Sequence, residues 1–149
     1  MLSPHEVLEI ALRVENEGAD FYRDLAESTD NENQRPVFRF LSSQERSHAE
    51  TFRALLKRFE EEAAELVNWD DAGAYMEDLT KEAVFSDRLH DAMSSSDYDE
   101  AIALAIEVEK KSIAFYRSFV NNVKTETADA LEKIIAEEEK HIELLEGLR

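Results

Sequence analysis

The chain has 149 residues, 43% of them apolar and 35% charged, with a formal net charge of −18 and no cysteine. That is the length of one domain, 1–149, with enough chain to bury a core. The missing cysteines exclude disulfides, thiolate metal sites, iron–sulfur clusters and a catalytic thiol, and the charge repels phosphate backbones, so no nucleic acid partner is expected. Most of the negative charge reads as a solvated surface; attraction of cations such as Fe²⁺ and adaptation to high salt are further readings. Apolar runs are too short to span a membrane. Residues 1–10 carry Pro4, His5, Glu6 and Glu9 in place of a basic end and an apolar run, so a cytoplasmic protein is expected.

Only three glycines and two prolines occur. Ser3-Pro4-His5-Glu6 is a capping box with proline at the first helical position, and it predicts a helix over about 4–27. The inward face of that helix reads Leu8, Ala11, Leu12, Glu15, Ala19, Tyr22, Leu25, Ala26, with Glu15 in mid-stripe. Glu17 is turned roughly 200° from Glu15 and is expected in solvent. Ser28 to Asn33 is a polar loop, and a second helix is predicted over 36–64 with the stripe Phe38, Leu41, Glu45, His48, Phe52, Leu55, Phe59.

Residues 66–96 read as a long crossover. Short helices are expected near 71–80 and 86–93, with Trp69, Tyr75, Met76, Leu79, Val84 and Phe85 packed over the rest. Asp97 and Glu100 form another capping box for a third helix over 98–121, whose inward face is Ile102, Ala105, Ile106, Glu109, Ser112, Ile113, Tyr116, Phe119. After a break at Asn121-Asn122 the fourth helix, 126–145, carries Leu131, Ile134, Glu138, His141, Leu145, and Leu148 follows in the same register.

The two halves repeat. A shift of 94 maps Ala11, Val14, Glu15, Phe21, Tyr22 and Arg23 onto Ala105, Val108, Glu109, Phe115, Tyr116 and Arg117, and a shift of 93 maps Glu45 and His48 onto Glu138 and His141. The same register picks Glu138 from the run Glu137, Glu138, Glu139. Two helical hairpins related by a pseudo-twofold axis and joined by a crossover between helices two and three make an all-α four-helix bundle.

Residues three apart on a helix share a face, about 4.5 Å apart along the axis, so Glu45 with His48 and Glu138 with His141 can each offer a carboxylate and an imidazole to one point. Both pairs interrupt an apolar stripe, where a charge is costly unless it is paired or bound to metal. With Glu15 and Glu109 the set becomes Glu15, Glu45, His48, Glu109, Glu138 and His141. This is the ligand pattern of carboxylate-rich metal bundles, and its four carboxylates neutralise two divalent ions. Oxygen and imidazole donors suit iron or manganese, and zinc stays open. Tyr22 and Tyr116 each follow their glutamate by seven residues, close to two turns. They are either ordinary core tyrosines or hydrogen-bond donors that orient a ligand carboxylate across the bundle. His5 and His90 read as surface histidines, although Asp87 and His90 share the same spacing.

With Glu15-x6-Tyr22 inside Val14-Glu15-Asn16-Glu17-Gly18-Ala19-Asp20-Phe21-Tyr22, its echo Glu109-x6-Tyr116, and the two Glu-x-x-His pairs, the chain resembles a ferritin-like protein of the rubrerythrin group. The resemblance implies a ferritin-like bundle with a dinuclear iron centre, Glu45 and Glu138 bridging, Glu15 and Glu109 terminal, and a histidine beside each. It also implies a homodimer. Two features depart from the group. The chain lacks the Cys-x-x-Cys pairs of a rubredoxin-like module, so an electron donor would be a separate protein. Ser112 stands where the group carries an extra glutamate one turn beyond the third-helix ligand, which makes the set closer to the six ligands of bacterioferritin-type centres and puts rubrerythrin-type peroxidase activity in question.

Three functions follow as expectations: an oxidoreductase in which reduced iron reacts with O₂ or H₂O₂ and an external donor restores it; a ferroxidase or iron-handling protein; and a structural bundle that metal holds together without turnover.

Overall fold

The computed structural model describes residues 4–61, 98–123 and 125–149. Its helices are α1 (Pro4–Ser28), α2 (Arg35–Glu61), α3 (Tyr98–Phe119) and α4 (Thr125–Glu146), with one 3-10 turn, Val120–Asn122, between the last two. No strand occurs among the described residues. The crossover expected at 66–96, the capping residues Ser3 and Asp97, and the pair Asp87 and His90 lie outside the described residues. No helix among those described is long and apolar enough to cross a membrane.

α1 packs on α2, α3 on α4, and α2 on α4, which makes a four-helix bundle of two hairpins. The turn between α1 and α2 is held by local polar contacts. Asn31 N–H donates to Thr29 Oγ1 at 3.2 Å, and Asn33 N–H donates to Asn31 Oδ1 at 2.9 Å. Such side-chain acceptors replace the helical ladder that the turn lacks. Pro36 lies in the first turn of α2, where its missing N–H leaves no bond unmade.

The sequence pattern did not reveal the part played by Arg35. Its guanidinium donates to the carbonyls of Ala26 at 3.1 Å and Thr29 at 2.6 Å, serving acceptors left open where α1 ends. Tyr98, at the start of α3, donates to the Ser28 carbonyl at 2.8 Å and ties the second hairpin to the same helix end. Ser42 donates across the first hairpin to the Ala19 carbonyl at 2.7 Å.

The core has two apolar clusters. One gathers Leu8, Phe52, Leu55, Phe115, Tyr116 and Leu131, among others; the second gathers Tyr22, Leu25, Phe38, Leu41, Ile102 and Leu145. Each fully buried Leu or Phe contributes on the order of 1.5–3 kcal/mol. Along every helix, the residues of one cluster are separated from those of the other by a polar layer: Glu15 on α1, Glu45 and His48 on α2, Glu109 on α3, Glu138 and His141 on α4. None of these six is more than 5% exposed. The bundle therefore carries its charge at mid-height, between two apolar plugs.

Glu17 is a correction. It is partly buried rather than solvated, and burial raises its carboxyl above the ordinary range.

Gly18 sits in the middle of α1 beside this layer. A Cβ there would lie 3.5 Å from Glu45 Cγ and Oε2, an ordinary contact distance. Because glycine in a helix interior costs about 1 kcal/mol relative to alanine, Gly18→Ala is expected to raise the stability of the metal-free protein by about that amount in urea unfolding. A lower midpoint would show that Glu45 needs the space.

Candidate metal centre

All six residues of the polar layer converge. Glu15, Glu45, His48 and Glu138 each offer a ligand atom within 4.8 Å of the others, and so do Glu45, Glu109, Glu138 and His141. Glu45 and Glu138 belong to both groups. The geometry thus divides the layer into two four-residue halves that share two carboxylates.

Each histidine turns Nδ1 toward the carboxylates. His48 Nδ1 lies 2.7 Å from Glu138 Oε1 and 3.6 Å from Glu15 Oε2. His141 Nδ1 lies 3.0 Å from Glu45 Oε1, 3.3 Å from Glu138 Oε2 and 3.7 Å from Glu109 Oε1. The two rings stack, with centroids 5.7 Å apart and planes 19° from parallel. Each histidine reaches the glutamate of the opposite Glu-x-x-His pair, as a pseudo-twofold axis requires.

The tyrosines follow the same symmetry. Tyr22 donates to Glu109 Oε1 at 2.9 Å, and Tyr116 donates to Glu15 Oε1 at 2.7 Å. Of the two readings open for these tyrosines, the geometry has the hydroxyls crossing between α1 and α3 to hold the outer carboxylates. Burial first, then the neighbouring carboxylates, push both phenols well above their ordinary range, so both hydroxyls keep their protons and remain donors.

Burial raises the Glu15 carboxyl, and the charge of Glu138 adds to the effect. Glu45 is pushed well above the ordinary range by burial, then by Glu138 and Glu15. Burial also works against the charge of Glu138, but hydrogen bonds with His141 and His48 outweigh it and hold this carboxylate at about 2. For His48, burial opposes the positive charge, yet Glu138 and Glu15 prevail and raise it to about 11. Without metal, then, His48 and Glu138 form an ion pair at the centre of the layer, while burial and the neighbouring carboxylates work against charge on Glu15 and Glu45.

The chemistry of the set fits a cation. Glu15 Oε2 and Glu138 Oε2 are buried and have no hydrogen-bond partner among the described residues. A buried acceptor left unmade costs about 1–3 kcal/mol, and a metal ion satisfies such oxygens directly.

Glu137 emerges only from the structure: its Oε2 lies 3.2 Å from His48 Nε2, on the ring edge away from the cluster. The repeat offered a signal, because a shift of 93 places Gln44 at the corresponding position behind His141. Glu139 points outward and pairs with Arg117. Ser112 is buried and brings no carboxylate to the layer. His5, expected at the surface, is partly exposed and lies 3.2 Å from Glu9.

A four-helix bundle with buried carboxylates and imidazoles at mid-height defines the ferritin-like class of helical proteins. Within it, the chain belongs to the rubrerythrin family, whose model matches residues 6–149. A crystal structure from Thermotoga maritima, assigned as a ferritin-like diiron-carboxylate protein, is similar to this chain at 27% sequence identity with a TM-score of 0.69, covering 99% of this chain and 94% of that one. No curated protein matches.

The pKa shifts set a sign for stability against pH in the metal-free protein. Raised carboxyls on Glu15 and Glu45 contribute below their ordinary value of 4.5, and that contribution is lost as pH climbs above it. The raised His48 contributes below 6.5 and loses its effect as pH rises toward about 11. The depressed Glu138 contributes above 4.5 and loses its effect as pH falls toward about 2. The thermal midpoint of metal-free protein should therefore fall between about pH 5 and about pH 9 in calorimetry. In Glu45→Gln the fall should be shallower; an equal slope would place its origin in general surface repulsion.

Proposed function

We propose that the chain is a di-iron carboxylate oxidoreductase that reacts with O₂ or H₂O₂ and is re-reduced by a separate donor protein. The observation that carries this reading is the pair of four-residue groups sharing Glu45 and Glu138. Glu45 and Glu138 would bridge the ions, Glu15 and His48 would hold one, and Glu109 and His141 the other. The assignment of the Thermotoga maritima neighbour as a diiron-carboxylate protein supports iron in particular. When bound, two ferrous ions supply the two electrons that convert H₂O₂ and two protons to two waters.

The chain's own residues prepare the site. Tyr22 and Tyr116 fix the outer carboxylates through their hydroxyls. The apolar clusters on either side keep bulk water from the layer, which strengthens each charge interaction within it. The raised His48 favours its proton before metal enters and burial disfavours charge on Glu45; ligation needs both deprotonated, so binding should tighten as pH rises.

A second reading, ferroxidase or iron handling, is favoured by the net charge of −18, which draws cations toward the protein. We also propose that the chain forms a homodimer, which light scattering would check.

The test is anaerobic loading with Fe²⁺, elemental analysis, then peroxide with an added reductant. The expected result is about two irons per chain and repeated turnover. Glu45→Ala combined with Glu138→Ala should remove both. A single oxidation without further cycles would favour iron handling, and many irons per chain a storage role. Failure to take up metal would overturn the proposal and leave a structural bundle.

A further inference from the structure

The repeat is nearly symmetric inside the metal layer and broken just behind it. His48 Nε2 has Glu137 Oε2 at 3.2 Å; the side chain of Glu137 is 25% exposed and that of His48 only 3%. His141 Nε2 is buried and has no hydrogen-bond partner among the described residues. The residue related to Glu137 by the repeat is Gln44, which lines a groove between α2 and α4 together with His141 and Glu137. No hydrogen bond joins Gln44 to His141 among the described residues.

This difference bears on metal binding. A histidine that ligates through Nδ1 must carry its proton on Nε2. A carboxylate accepting that N–H selects the tautomer, fixes the ring and makes the ligand more basic. Glu137 Oε2 stands where it can accept that N–H from His48. A neutral amide is a weaker acceptor, and Gln44 makes no such bond to His141.

Resting on the di-iron reading above, we infer that the two metal positions are unequal and fill in order. Glu137 makes the Glu15–His48 half the tight, first-filled position, and Gln44 leaves the Glu109–His141 half the weaker one. Glu137 and Gln44 are positioning residues: they act through the histidines and touch no substrate.

The experiment is anaerobic titration of the metal-free full chain with Co²⁺, read by visible absorption and calorimetry. Loss of such an outer partner typically weakens a metal site 10–100-fold. The parent protein should bind two ions in two separable steps, and Glu137→Gln should weaken the first by about 10–100-fold. Gln44→Glu should tighten the second toward the first, an independent arm that remains decisive if Glu137→Gln folds poorly. His48→Gln should delete the tight step, and His141→Gln the weak one. Two equal steps that neither Glu137→Gln nor Gln44→Glu moves would overturn the inference while leaving a two-metal site intact. Binding of fewer than two ions by the parent protein would overturn the di-iron reading, and the inference with it.

Discussion

The structure depends on one electrostatic constraint: four carboxylates share one buried layer. Without cations, such a layer repels itself and pays desolvation at every group. The protein compensates by internal pairing. Glu138 and Glu15 raise His48, the two histidines lower Glu138, and burial with the neighbouring carboxylates raises Glu15 and Glu45. This pairing is partial, because Glu15 Oε2 and Glu138 Oε2 find no donor among the described residues. A layer that is tolerable empty and better satisfied by cations suits binding.

The two apolar clusters give that constraint its place. Each helix must pass from one cluster to the other, and each does so by inserting its acidic residue at the same height. The tyrosines then belong half to each world. Tyr22 packs in one cluster and Tyr116 in the other, while each hydroxyl reaches a carboxylate on the opposite hairpin. A phenylalanine in either place would keep the packing and leave a buried carboxylate oxygen without its donor.

Much of this was legible in the sequence because the features have a period. The helical stripes located the core, and glutamates within the stripes located the polar layer. Duplication then separated Glu138, 1% exposed, from its neighbours, of which Glu139 faces out toward Arg117. What the pattern did not reveal lacks a period. Arg35 reaches back to Ala26 and Thr29 along a turn that has no helical register, so a wheel cannot place it. Glu17 is partly buried where a helical wheel turns it outward, because the wheel describes one helix and burial depends on its whole surroundings.

Glu137 is the more instructive omission. It occupies the boundary between layer and solvent, where an acidic residue on an acidic protein carries no signal by itself. Its meaning appears only beside its repeat mate: Glu137 precedes Glu138 as Gln44 precedes Glu45. The six residues of the polar layer match in type across the repeat, glutamate with glutamate and histidine with histidine, and each histidine reaches the other half's carboxylate. The residues one step outward do not match. A single carboxylate-to-amide difference there can separate the two halves in affinity while the ligand set stays symmetric, so the first place to look for functional asymmetry in a duplicated metal bundle is behind its histidines.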